Sequence, residues 1–240
     1  MRRTRLGILT PSSNTVLEPL SSAMVASLPD VTAHFGRFAV TEIALSPASR
    51  AQFELDHQLA AARLLADARV GSIVWSGTSA SWLGFDRDHA LCRAITSATG
   101  IPAGSSVLAI NELLALVGAR RFALVSPYTG DVQSRIVDTY ARHGLQCVAE
   151  RHLGEHRNYA FATFEEPQIA DLVRQCAAAG PDAITIMCTN MRGARIAPEL
   201  ERELGVPVLD STAAAVWTAM RLAGDDPRRI EGWGQMFALG

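Results

Sequence analysis

The stretch Ile184-Thr185-Ile186-Met187-Cys188-Thr189-Asn190 decides both the fold and the place of the chemistry. Four apolar or β-branched residues lead straight into a Cys-Thr-Asn turn. That is the pattern of a buried parallel strand carrying a thiol to its carboxyl end. A helix is expected next, through Pro198-Glu199-Leu200. Open α/β sheets bind ligands just beyond the carboxyl ends of their strands. Backbone N–H groups at the start of a helix favour a thiolate there, and a substrate carboxylate equally. The alternative is a buried, inert cysteine, since free Cys is among the most buried residue types.

Moving outward, the same pattern occurs twice. Leu6-Gly7-Ile8-Leu9-Thr10-Pro11 matches Phe122-Ala123-Leu124-Val125-Ser126-Pro127 in apolar run and closing proline. Gly77-Thr78-Ser79 follows the strand Ser72-Ile73-Val74-Trp75 as Cys188-Thr189-Asn190 follows its own. Thr99-Gly100-Ile101-Pro102 pairs with Leu204-Gly205-Val206-Pro207, and four residues past each proline a serine, Ser106 or Ser211, stands ahead of an apolar helix, Ser106 as its expected cap. These repeats predict two similar βα-rich halves, residues 1–117 and 118–240, joined near Val117-Gly118-Ala119. The fold class is α/β, with parallel sheets flanked by helices, a pseudo-two-fold and the site in the cleft between the halves. Within the first half, Val31 to Val40 reads as a strand. A long amphipathic helix is expected from Ser49 to Ala68, with Phe53, Leu55, Leu59, Leu64 and Leu65 on its core face.

At 240 residues and 48% hydrophobic, the chain can bury a substantial core. A net charge of −2 gives no electrostatic footprint for nucleic acid or anionic membrane. No run of apolar residues reads as a membrane span or a signal-peptide core, so a cytoplasmic protein is expected. The four cysteines, Cys92, Cys147, Cys176 and Cys188, form no CxxC pair, which argues against a zinc site or a disulfide framework. His152 and His156 lack a third ligand at useful spacing and read as surface residues. Asp86, Arg87 and Asp88 read as a solvated helix start. Cys92 and Cys176 read as helix residues, and Trp82, Trp217 and Trp233 as packing, with Trp82 near enough to the Gly77 turn to line the cleft.

Four loops at strand ends therefore bound one cleft: Pro11 to Asn14, Gly77 to Ser79, Pro127 to Tyr128 and Cys188 to Asn190. They offer hydroxyls and backbone N–H groups and no Lys or Arg, a set suited to holding a carboxylate by neutral donors. With Gly205-Val206-Pro207-Val208, these residues resemble the aspartate/glutamate racemase superfamily, and within it the maleate cis-trans isomerase and arylmalonate decarboxylase group. The resemblance runs from Gly7 to Gly224. It implies an enzyme with no metal and no organic cofactor, acting on a small-molecule carboxylate, with neither nucleic acid nor membrane as partner; a homo-oligomer is compatible with it. The racemases and isomerases place one cysteine in each half. Gly77-Thr78-Ser79 resembles instead the decarboxylases, which keep only the second cysteine. Asn14, Tyr128 and Asn158 resemble the carboxylate-binding set of the isomerases.

On that resemblance Cys188 is the single acid/base, protonating one face of an enediolate, and a thiol whose pKa lies near about 8.5 and is lowered by a helix terminus suits the task. Thr78 and Ser79 donate to the enediolate oxygens, with Thr189 and Asn190 assisting through backbone N–H groups. Gly77 leaves the opposite face without a thiol, so Gly77→Cys is expected to introduce racemisation. The plainer readings remain beside these: Thr78, Ser79 and Asn14 as helix caps, and Tyr128 as a turn filler. Decarboxylation leads. Isomerisation or racemisation of a dicarboxylate or amino-acid derivative is the alternative, and a non-catalytic carboxylate-binding module the third.

Overall fold

The computed structural model describes residues 3–240. The first half runs β1 (Thr4–Pro11), α1 (Leu17–Val25), β2 (Val31–Phe38), α2 (Pro47–Ala51), α3 (Leu55–Asp67), β3 (Ser72–Trp75), α4 (Ala80–Leu83), α5 (Phe85–Thr99), β4 (Ala103–Ser105) and α6 (Ser106–Leu116). The second runs β5 (Arg121–Ser126), α7 (Gly130–Arg142), β6 (Gln146–His152), a 3-10 turn (Asn158–Thr163), α8 (Glu166–Ala177), β7 (Ala183–Ile186), α9 (Gly193–Leu204), β8 (Val208–Asp210) and α10 (Ser211–Leu222). Each half holds one four-stranded sheet, β2-β1-β3-β4 and β6-β5-β7-β8, the same order twice. All pairings within them are parallel. Every residue of β3 and β7 is buried, as parallel strands covered by helices on both faces require. Among the described residues no helix is long and apolar enough to cross a membrane.

The second half packs onto the first. Helix α10 lies against β1, β3 and β4 and against α1 and α6, so the second half supplies a cover for the first sheet. Ser72 Oγ donates to the Ala219 carbonyl across 2.9 Å, fixing β3 to that helix.

Three expectations are corrected. The helix expected over Ser49–Ala68 is two helices, α2 and α3, broken at Gln52-Phe53-Glu54. Gln52 causes the break: its Oε1 accepts from Thr41 N at 2.7 Å, and its Nε2 donates to the carbonyls of Glu42 and Ser49, both at 3.0 Å. That anchor turns Phe53 inward, while Leu55 and Leu64 are 40% and 72% exposed. Ser106 does not cap its helix; in both halves the cap stands one residue before the paired serine. Ser105 Oγ accepts from Leu108 N, and Asp210 Oδ1 accepts from Thr212 N and Ala213 N. Asp88 is not solvated but buried on the inner face of α5, beside Ser105.

Candidate active site

The carboxyl ends of β1, β3, β5 and β7 converge on one cavity of about 20 Å³. Its walls are Pro11, Val40, Ile43, Phe53, Trp75, Gly77, Thr78, Ser79, Trp82, Tyr128, Asn158, Cys188 and Thr189. Gly77 and Cys188, which end matching strands, therefore share it. A second cavity of about 170 Å³ adjoins, sharing Phe53 and Ser79 and reaching Gln58 and Asp88. Wider grooves lie elsewhere, such as one of about 570 Å³ along α7 and β6, but none of them meets the strand ends of both sheets.

Hydrogen bonds across the halves fix this wall. Thr78 Oγ1 and Tyr128 Oη are 2.6 Å apart. Thr189 Oγ1 donates to the Ser76 carbonyl at 3.1 Å. Asn158 Nδ2 donates to Ser13 Oγ at 2.9 Å, and Asn158 N to the Thr41 carbonyl at 3.0 Å. Aromatic rings line up around the cavity: Phe38 and Phe53 on Trp75, Phe53 on Trp82, Trp82 on Tyr128, and Tyr128 on Phe161, with centroids 4.9 to 6.5 Å apart.

Asn14 and Asn190 stand behind the wall rather than in it. Asn14 Oδ1 accepts from Val16 N and Leu17 N, both at 2.9 Å, capping α1, while its Nδ2 donates to Thr189 Oγ1 at 3.3 Å. Asn190 Oδ1 accepts from Thr15 N at 3.0 Å, and its Nδ2 donates to the Asn158 carbonyl at 2.6 Å. Both side chains are committed to joining the halves, and they hold Thr189 and Asn158 at the cavity.

Cys188 is 2% exposed. Its sulfur accepts from Asn190 N at 3.4 Å. Burial pushes the thiol up to about 12, against the smaller opposing pull of the Asn190 N–H and the Tyr128 hydroxyl. The expectation of a pKa lowered by a helix start is thus corrected: α9 begins only at Gly193, and desolvation outweighs the few donors that face the sulfur. Burial likewise pushes Tyr128 well above its ordinary value, so its hydroxyl keeps its proton. Cys92 and Cys147 are also raised by burial, to about 12 each.

Sequence reasoning missed Val40, Ile43, Phe53 and Trp75 as cavity residues. Trp75 had one available sign, a tryptophan two positions before a glycine. A Cβ added at Gly77 would fall inside the Trp75 ring, against Cζ2 and Cε2, with Cη2 only 2.6 Å away. A cysteine at position 77 would therefore require the Trp75 indole to shift, because the ring occupies the room where that side chain would begin.

Two parallel sheets of repeated order, with one thiol among neutral donors at their shared strand ends, define a class: a duplicated α/β protein with one cysteine site between its halves. Comparison with known proteins narrows it. The family model described as arylmalonate decarboxylase matches residues 14–237, and the chain belongs to that family. It is 29% identical over 235 residues to the arylmalonate decarboxylase of Bordetella bronchiseptica, covering 97% of this chain and 95% of the relative. Among solved structures, a doubly substituted arylmalonate decarboxylase, glycine to cysteine and cysteine to serine, in liganded form, superposes with a TM-score of 0.84 at 29% identity, covering 98% of each chain. The maleate cis-trans isomerase of Nocardia farcinica, a cysteine-to-serine variant with a covalently bound succinylcysteine intermediate, gives 0.88 at 23% identity, again covering 98% of each, and shares the fold. The chain is an enzyme of this family.

Proposed function

We propose that the protein decarboxylates a small malonate-type dicarboxylic acid, with Cys188 as its one proton donor. A single observation carries this reading: the cavity holds one thiol, kept protonated by burial, and the matching position is a glycine whose side-chain space is filled by Trp75. Decarboxylation needs no base to begin. The C–C bond to one carboxylate breaks, its electron pair enters an enediolate on the remaining carboxylate, and CO₂ leaves. The Cys188 S–H then supplies the proton that forms the new C–H bond. The resulting thiolate is received by Asn190 N–H and the Tyr128 hydroxyl until solvent reprotonates it. A racemase or a nucleophilic isomerase needs a thiolate first, which this site disfavours.

The wall supplies the electrostatic support. Thr78 Oγ1 and Tyr128 Oη, 2.6 Å apart, hold each other on the wall that Cys188 also lines, and a Thr78 that donates to Tyr128 frees the phenol to turn toward the thiolate. Ser79 and the backbone of the two turns face the developing enediolate. Preorganised donors of this kind are each worth roughly 3–4 kcal/mol of barrier when aimed at developing charge. A second reading, cis-trans isomerisation of a dicarboxylate, draws support from Asn158, a polar residue on an otherwise apolar stretch of wall.

The test is incubation of methylmalonate and phenylmalonate with the enzyme in D₂O. Release of CO₂ with one deuterium in one enantiomer of the product supports the proposal. Conversion of maleate to fumarate without CO₂ release from either malonate would overturn it in favour of isomerisation.

A further inference from the structure

We propose that Trp75 is a substrate-binding residue: its indole N–H donates to a carboxylate oxygen from the Gly77 side of the cavity, and its ring bars that side to any second acid. This deepens the decarboxylase reading and rests on it. Three observations converge on the residue. The indole lines the cavity that Cys188 lines, and the side chain is 1% exposed. Its Nε1 is buried with no hydrogen-bond partner among the described residues. The ring atom bonded to Nε1, Cε2, lies where a side chain at position 77 would begin.

A buried donor left without an acceptor carries its full desolvation penalty. Native proteins rarely keep such a group without a use for it. Phe38 and Phe53 pack on the ring and hold it in this orientation. An arriving carboxylate would satisfy the N–H and gain a charge-assisted bond in a dry site, where such bonds are strong. Indole nitrogen only donates hydrogen bonds and does not titrate. The Gly77 side thus holds an oxygen in place but delivers no proton, and protonation is left to Cys188. The ligand class this favours is a small geminal or cis dicarboxylate, with one oxygen on the Trp75 N–H and the rest on the Thr78–Ser79 and Cys188–Thr189 turns.

The experiment has two arms. In the first, the Trp75 indole ¹⁵N–¹H resonance, assigned by its loss in Trp75→Phe, is followed as malonate is added, and malonate affinity is measured by calorimetry. A downfield shift with about tenfold weaker binding to Trp75→Phe is expected. Malonate binding with an unmoved resonance and unchanged affinity in the variant would overturn the donor role alone. No binding of malonate or maleate to the wild type would overturn the donor role together with the decarboxylase reading. The second arm needs no ligand. Gly77→Cys should lower Tm by about 5 °C, the effect of overpacking a core. The Trp75→Leu/Gly77→Cys double variant should lose less than the two single losses added. Additive losses, or an undiminished Tm in Gly77→Cys, would show that the ring does not occupy the position-77 space and would overturn the steric half.

Discussion

At the end of β3 the chain runs Trp75-Ser76-Gly77-Thr78, and at the end of β7 it runs Ile186-Met187-Cys188-Thr189. The two turns sit at the same place in two sheets of the same strand order. Each sends its threonine into the other half, Thr78 to Tyr128 and Thr189 to the Ser76 carbonyl. They differ in what fills the space between them. The second turn presents a sulfur; the first presents a bare backbone with an indole folded beneath it. Duplication supplied the frame, and the asymmetry of one residue pair, Trp75 with Gly77, made the shared cavity one-sided.

The most direct way to break that comparison is to remove the sulfur. Cys188→Ala should lower CO₂ release from a malonate by about 10³-fold or more, in the range expected for losing a positioned proton donor. Circular dichroism and Tm should remain close to wild type, since one small buried atom is lost. Retention of more than a tenth of the rate would transfer the proton-donor role elsewhere. Tyr128→Phe follows, with a loss of about 10²-fold in kcat, because it removes the wall hydroxyl proposed to receive the thiolate. Thr78→Val should cost less, about tenfold, since Thr78 acts through Tyr128; an effect as large as that of Tyr128→Phe would mean that Thr78 meets the substrate itself.

A finer comparison concerns one buried carboxyl in each half. Asp88 lies beside Ser105, the cap of α6, and Asp210 is itself the cap of α10. Burial raises both to about 7, against the Ser105 hydrogen bond for Asp88 and the Ala213 and Thr212 N–H groups for Asp210. Below about pH 4 folded and unfolded chains both hold these protons, and nothing is lost. Between about pH 4 and 7 the unfolded chain releases them while the folded one keeps them. Stability should therefore fall as pH rises through that window, by about 1.4 kcal/mol per pH unit for each group, and level off above it. Asp88→Asn and Asp210→Asn should each remove one such slope in urea titrations, and Asn can still cap α10. Unchanged slopes would mean that these carboxyls are ionised in the folded protein.

Much of this was legible in the sequence because it depends on repetition and period. The apolar runs, closing prolines and strand-end turns located both sheets and the loops that bound the cavity. Seven of the nine site residues singled out by sequence lie on its wall. Asn14 and Asn190 do not, because an Asn near a helix start serves the backbone, and sequence alone does not say which way its amide turns. Trp75 was hidden for a related reason. As the last residue of β3 it reads as core, and only its contact with the space above Gly77 gives it a place in the site. The break between α2 and α3 was hidden because Gln52 reaches a loop ten residues back, a contact with no periodic signature.

The position of α10 has a bearing on how the protein is made. Residues 211–222 cover a sheet whose strands β1, β3 and β4 are all complete by residue 105. On the ribosome, the first half emerges with one sheet face waiting, and the segment that covers it is synthesised more than a hundred residues later. Contacts of such long separation slow folding and leave apolar surface open to association meanwhile. The apparent two-half molecule is therefore a single cooperative unit in time: the first sheet cannot be sealed until the second has been translated, and the cavity between them matures only at that late step.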